Sequence, residues 1–218
     1  MSALGKTDDG LLVRPHDARL LYVFAHGAGA GMRHHFLAQA ADVFAGRGIA
    51  TYRYEFPYMQ AGKNRPDPPG LAQASVRKAV AAAARAAPGL PIIAGGKSFG
   101  GRMTSQAQAS QPMPGVLGLV FLGFPLHAPG RPGMERAEHL TSVDVPMLFL
   151  QGTRDEFAQL ELLQQVVKGL GDRATLHLIE EGDHSFKVPK RTGKTETDVM
   201  NELTETIQQW ATQCRIIG

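Results

Sequence analysis

Gly96-Lys97-Ser98-Phe99-Gly100 has the form G-x-S-x-G, follows the apolar run Ile92-Ile93-Ala94 and opens a segment of helical character. A serine on such a strand-to-helix turn is held in a strained backbone with its hydroxyl exposed. The turn is so tight that side chains two residues before and two after the serine would collide with neighbouring strands, and Gly96 and Gly100 remove them. The chemistry expected of Ser98 is attack on an acyl carbonyl. A plainer alternative is that the glycines only permit close packing and Ser98 caps the helix; the strand-turn-helix context favours the nucleophile. A P-loop would borrow Gly96-Lys97-Ser98, but Pro91 stands where its first glycine belongs and the residues between form an apolar strand rather than a phosphate-cradling loop. A dinucleotide fingerprint at Gly27-Ala28-Gly29 fails at Met32, where a third glycine is needed.

A serine hydroxyl needs a base, and the base needs a third group to fix its tautomer. Of the 8 histidines, His184 is the best placed, in the loop Glu181-Gly182-Asp183-His184-Ser185-Phe186 just after the last expected strand. His26, His34 and His35 come too early for the chain order Ser, acid, His that accompanies this turn; His127 and His139 precede the acid, and His177 lies within a strand pattern. The acid expected is Asp155, a few residues beyond the run Leu148-Phe149-Leu150-Gln151. Asp144 precedes that strand and Asp183 suits a turn. Asp155 also stands where it can cap a helix starting near Phe157, and its two oxygens allow both jobs. The oxyanion would be met by the N–H of Phe99, after the nucleophile, and by that of Ala28 or Gly29, in the glycine-rich turn His26-Gly27-Ala28-Gly29. Phe56 and Tyr58, and Phe124 and His127, leave strand ends on the same edge and are expected as substrate walls, although plain loop packing explains them equally well.

These groups need a scaffold, and the chain supplies one by alternating short β-rich apolar runs with longer helical segments, the pattern of a mostly parallel sheet with helices on its faces. Strands are expected at about Arg19–Ala25, Ala50–Tyr54, Pro91–Gly95, Val116–Leu122, Pro146–Gln151 and Ala174–Glu180, with helices at about Arg33–Arg47, Leu71–Ala86, Phe99–Ser110, Phe157–Leu170 and Thr197–Cys214. The Pro-rich stretches Ala61–Gly70 and Phe124–Gly133 should hang over the ligand-binding edge. Too few residues separate the strand ending near Leu122 from the next to build a helical cap, so the site should be open. The 218 residues, 43% of them hydrophobic, suit one domain spanning 1–218. A net charge of +3 without a basic run argues against nucleic acid, and no apolar run approaches membrane-spanning length. Met1 to Gly10 lacks the apolar core of a signal peptide, so a cytoplasmic location is expected. The single cysteine, Cys214, is read as a packing or surface thiol. No cofactor and no metal is expected, and the partner expected is a small acyl substrate.

Together, His26-Gly27-Ala28-Gly29-Ala30-Gly31-Met32, Phe56-Pro57-Tyr58-Met59, Gly95 to Arg102, Phe124-Pro125-Leu126-His127, Leu150 to Asp155 and Asp183-His184-Ser185-Phe186 resemble the small bacterial α/β-hydrolases related to testis-expressed protein 30 and to a subunit of a histone acetyltransferase complex. The resemblance runs from about Leu20 to Lys187 and places the chain near dienelactone hydrolases. It implies a three-layer α/β-hydrolase fold without a large cap and a triad of Ser98, Asp155 and His184. Dienelactone hydrolases carry cysteine at the nucleophile position, where this chain has serine, so the substrate expected is a small ester, thioester or lactone in general. Some eukaryotic relatives resemble scaffold proteins, which makes a silent binding module the competing reading.

Overall fold

The structure is a computed structural model that describes the backbone of residues 3–7 and residues 10–218 in full. Its frame is an eight-stranded sheet in the order β1-β2-β4-β3-β5-β6-β7-β8. The strands are β1 (Ala3–Thr7), β2 (Gly10–Arg14), β3 (Leu20–Ala25), β4 (Ile49–Tyr54), β5 (Ile92–Lys97), β6 (Val116–Leu122), β7 (Met147–Gly152) and β8 (Ala174–Ile179). From β4 to β8 all pairings are parallel, whereas β1 and β2 run antiparallel at one edge. That antiparallel edge was not expected from the sequence: Gly10–Arg14 is short and only partly alternating, and a long-range pairing with β4 makes it a strand.

Helices α1 (His35–Ala45), α2 (Pro57–Gln60), α3 (Pro69–Ala86), α4 (Phe99–Ser110), α5 (Leu160–Leu170) and α6 (Glu196–Gln213) join the strands. Parallel neighbours need such crossovers, and the helices then bury both faces of the sheet. In β3 the alternation is visible as a division of labour. Leu21 and Val23 join a core with Val76, Val80, Met103 and Leu163 of α3, α4 and α5. Leu20, Tyr22 and Phe24 join one with Leu37 and Phe44 of α1 and Leu203, Ile207 and Trp210 of α6. The resulting order is helix, sheet, helix.

Between β6 and β7 the described residues carry a 3₁₀ helix, Glu135–Ser142, and turns, with no helical cap. Among the described residues no helix is long and apolar enough to cross a membrane. The helices expected from Arg33 and Phe157 begin later, at His35 and Leu160, because extended or turn residues needed at the sheet edge precede them.

Candidate active site

Ser98 sits between the end of β5 and the start of α4 with φ 50° and ψ −118°, outside the comfortable regions for a side chain. Conformations of this kind cost about 1–3 kcal/mol and persist only where packing imposes them. Here the packing is explicit. A Cβ on Gly96 would stand 2.3 Å from the Ala25 carbonyl oxygen, and one on Gly100 would stand 2.6 Å from that of His26. A third glycine, Gly95, is as tightly placed, since its Cβ would meet the Val120 carbonyl oxygen at 1.9 Å. Ser98 is the N-cap residue of α4 but makes no side-chain capping bond. Its hydroxyl is instead directed at His184, with Oγ 2.9 Å from Nε2.

His184 Nδ1 lies 2.7 Å from Asp155 Oδ2. Because a carboxylate only accepts, Nδ1 carries the proton and Nε2 is left as the acceptor facing Ser98. The Asp155 side chain is fully buried (0% exposed), which excludes water from the hydrogen bond that orients the imidazole. Its oxygens divide their partners: Oδ1 accepts the Phe157 N–H at 2.8 Å, while Oδ2 accepts from His184 and from Gln151 Nε2, the latter at 2.5 Å. The N–H taken by Oδ1 belongs to a turn ahead of α5, whose own N-cap is Gln159. Phe157 also lays its ring against His184, centroids 4.2 Å apart.

Several groups that support this arrangement were not legible as site residues. Gln151, fully buried at the end of β7, donates to Asp155 and accepts the Phe124 N–H at 2.8 Å through Oε1. The available signal was an amide ending an otherwise apolar strand. Gly123 has φ +68°, and a side chain there would press on Lys97 Nζ, Asp155 Oδ2 and His184 Nδ1 at 2.9, 3.4 and 3.4 Å. Gly152 lets the carbonyl of Gly182 approach within 2.2 Å of where a Cβ would be, bringing the His184 loop against β7.

The turn after β3 is anchored from the β4 side. His26, fully buried, accepts the Phe56 N–H on Nε2 at 3.1 Å and gives Nδ1–H to the Gly27 carbonyl at 2.8 Å. Burial pulls its pKa down, which keeps Nε2 free to accept. Tyr58 Oη accepts the N–H of Gly29 at 3.0 Å. That engagement leaves the Gly29 N–H already paired. Among the described residues, the N–H groups of Ala28 and Phe99 have no protein acceptor.

The expected substrate walls are corrected. Phe56, Tyr58 and Phe124 are at most 1% exposed, and none faces the cleft at Ser98. Phe56 and Tyr58 pack behind Phe99, with ring centroids 5.2 and 6.4 Å away. Phe124 packs against Phe121 and Phe149. His127 accepts the Gln159 N–H on Nε2 at 2.8 Å and lines a separate hollow on the outer side of the Asp155 loop. These apolar residues instead pack beneath the turns that carry Ser98 and its neighbours. The cleft that does open onto Ser98 holds about 420 Å³ and lies between the turns after β3 and β8. Phe36, Leu37, Phe186, Val199 and Met200 give it an apolar side, and Gln39, Lys187 and Glu196 are among its polar members. Phe36 and Phe186 are stacked at 6.1 Å.

Residues 18–212 match a family model described as an alpha/beta hydrolase domain. Among solved structures, the chain is similar to a dienelactone hydrolase from Anabaena variabilis, with TM-score 0.71 and 20% identity, over 98% of this chain and 95% of that one. It is also similar to an alpha/beta serine hydrolase without lid from Xanthomonas campestris, with TM-score 0.69 and 20% identity over 96% and 94% of the two chains. A third likeness is to Est1E from Butyrivibrio proteoclasticus, seen with ferulic acid bound, with TM-score 0.69 and 15% identity over 96% and 98%. At these identities the likeness is one of fold.

Proposed function

This chain belongs to the alpha/beta hydrolase domain family, and from that premise we propose that it is a serine hydrolase acting on a small ester, thioester or lactone. One observation carries the reading: a continuous hydrogen-bonded line, Ser98 Oγ to His184 Nε2 at 2.9 Å and His184 Nδ1 to Asp155 Oδ2 at 2.7 Å, on a strained turn beside an open cleft.

Ser98 Oγ attacks the acyl carbonyl while His184 Nε2 takes its proton. The carbonyl oxygen becomes an oxyanion, stabilised by the N–H groups of Phe99 and Ala28. Collapse breaks the bond to the alcohol or thiol, which receives the proton from His184, and leaves the acyl group on Ser98. Water, deprotonated by His184, then attacks the acyl carbon. The second collapse releases the acid and returns the proton to Ser98. Asp155 stays ionised throughout, orienting the imidazole and offsetting the charge of the imidazolium. The apolar side of the cleft suits the hydrocarbon part of the substrate, with the polar end at Gln39, Lys187 and Glu196. The narrower kinship with relatives of testis-expressed protein 30 is part of this proposal. It rests on the motif blocks His26 to Met32 and Phe56 to Met59, which are bonded to each other through His26 and Tyr58.

Labelling with a fluorophosphonate probe, read by intact mass, tests the reading without a known substrate. Wild type should gain one adduct and Ser98→Ala none. A well-folded wild type that gains no adduct would sink the hydrolase assignment and leave a binding module in its place.

A further inference from the structure

The residue immediately before the nucleophile is a lysine, and its ammonium is spent on the base. Lys97 Nζ donates to the backbone carbonyl of His184 at 2.5 Å and stands 5.4 Å from the centroid of the Phe186 ring. The same point above Gly123 that lies 2.9 Å from Nζ lies 3.4 Å from both Asp155 Oδ2 and His184 Nδ1, so the cation stands beside the acid–base pair. No side chain separates them, because position 123 is glycine. We propose that Lys97 is a positioning residue that ties the nucleophile's turn to the loop carrying the base and sets the charge beside the His184–Asp155 pair.

This inference rests on the hydrolase reading and adds a role that the triad alone does not require. The tie is short in sequence at both ends: Lys97 adjoins Ser98, and the carbonyl it holds is His184's own. Movement of the β8 loop away from β5 is therefore opposed at the residue where it would lengthen the Oγ–Nε2 contact. The charged groups facing the ammonium are Asp155 from the turn after β7 and Asp183 from the turn after β8, where the titratable His184 also stands with its backbone carbonyl on Nζ; Gly27, after β3, packs on its stem at 3.7 Å from where a Cβ would stand. Burial brings the Lys97 pKa down to about 8, against the opposing pull of Asp155 and Asp183. The charge is thus held where the carbonyl of His184 and the Asp155 carboxylate converge, beside the contact that orients the imidazole.

The test is the fluorophosphonate labelling rate of Ser98 across pH 5 to 10, read by intact mass and corrected with Ser98→Ala. Wild type should show an alkaline limb near pH 8, where Lys97 loses its charge. Lys97→Met should label about 10- to 100-fold more slowly at neutral pH. It should also lack that limb. Lys97→Arg should restore most of the rate and move the alkaline limb upward. A merely structural lysine would leave the alkaline limb in place, and a Lys97→Met profile matching wild type overturns the inference. Should Lys97→Met melt too low to assay, the arginine variant decides, because an alkaline limb that stays near pH 8 with arginine is not due to residue 97. Labelled wild type with an unmoved alkaline limb in the variants sinks only this inference; unlabelled wild type sinks the hydrolase reading as well.

Discussion

The residues around Ser98 have unequal shares in one hydrogen-bonded line. Asp155 has three donors: His184 Nδ1, Gln151 Nε2 and the Phe157 N–H. A fully buried carboxylate satisfied this way is fixed in orientation, and it passes that orientation to the imidazole. Asp155→Asn keeps the size but can turn its NH₂ toward Nδ1, which would favour the wrong histidine tautomer. The expected outcome is a folded protein whose Ser98 labelling slows by about 10⁴-fold. Unchanged labelling with thermal stability preserved would mean that the imidazole is oriented by the Phe157 ring and the Lys97 tie instead.

Among the elements, the turn after β3 would, under the proposed hydrolase reading, decide whether an oxyanion meets one N–H or two. It is held by α2 and the residue ahead of it, through Phe56 N–H to His26 and Gly29 N–H to Tyr58 Oη. Tyr58→Phe keeps the ring against Phe99 and removes only the acceptor. Freed of that bond, the Gly29 peptide can rotate and carry the neighbouring Ala28 N–H off its aim. The expected result is a fall in kcat of about 10-fold, less than the 10²–10³ of losing a donor outright, with KM changed less than about twofold. Steady-state hydrolysis of 4-nitrophenyl acetate by the two proteins checks it. An unaltered kcat would show that the His26 bond holds the turn alone. Helices α1 and α6 both contribute to the cleft, and Arg47, just beyond the end of α1, pairs with Glu205 of α6 at 2.6 Å, a pair 40% and 48% exposed that contributes little to stability.

At the scale of the molecule, a buried histidine, His26, and a half-buried one, His139, make the fold sensitive to acid. His26 must accept the Phe56 N–H, and burial holds its pKa below the usual value. His139, in the 3₁₀ helix Glu135–Ser142, sits 2.8 Å from Ser105 Oγ of α4; burial and the Arg102 guanidinium take it from 6.5 to about 4. Both are neutral in the native state, so the unfolded chain binds more protons as pH falls below about 6.5. Their contribution is therefore complete above that pH and is lost as pH falls toward about 4, where His139 alone has removed about 3 kcal/mol. Urea midpoints at pH 7, 5.5 and 4.5 should fall in that order, and the fall should shrink in His139→Gln. A midpoint independent of pH over this range would show that neither histidine is held neutral.

Ser98, Asp155 and His184, which the structure brings into one hydrogen-bonded line, were legible in the amino-acid sequence because each is fixed by local rules: glycines flanking a serine on a strand-to-helix turn, and an acid and a histidine each following an apolar strand. The central strands were legible for the same reason, since strands buried on both faces read as continuous apolar runs. Local rules do not reach the edge strands β1 and β2, whose existence depends on pairing with β4. Nor do they say which strand-end side chains turn inward. Phe56, Tyr58 and Phe124 left strands at the edge that carries Ser98, yet burial drew them under the turns, and the cleft is walled instead by Phe36, Phe186 and Met200 from α1, the His184 loop and α6. An aromatic ring on a loop gains as much by packing beneath a turn as by lining a cleft, and only the helices laid over the sheet decided between them.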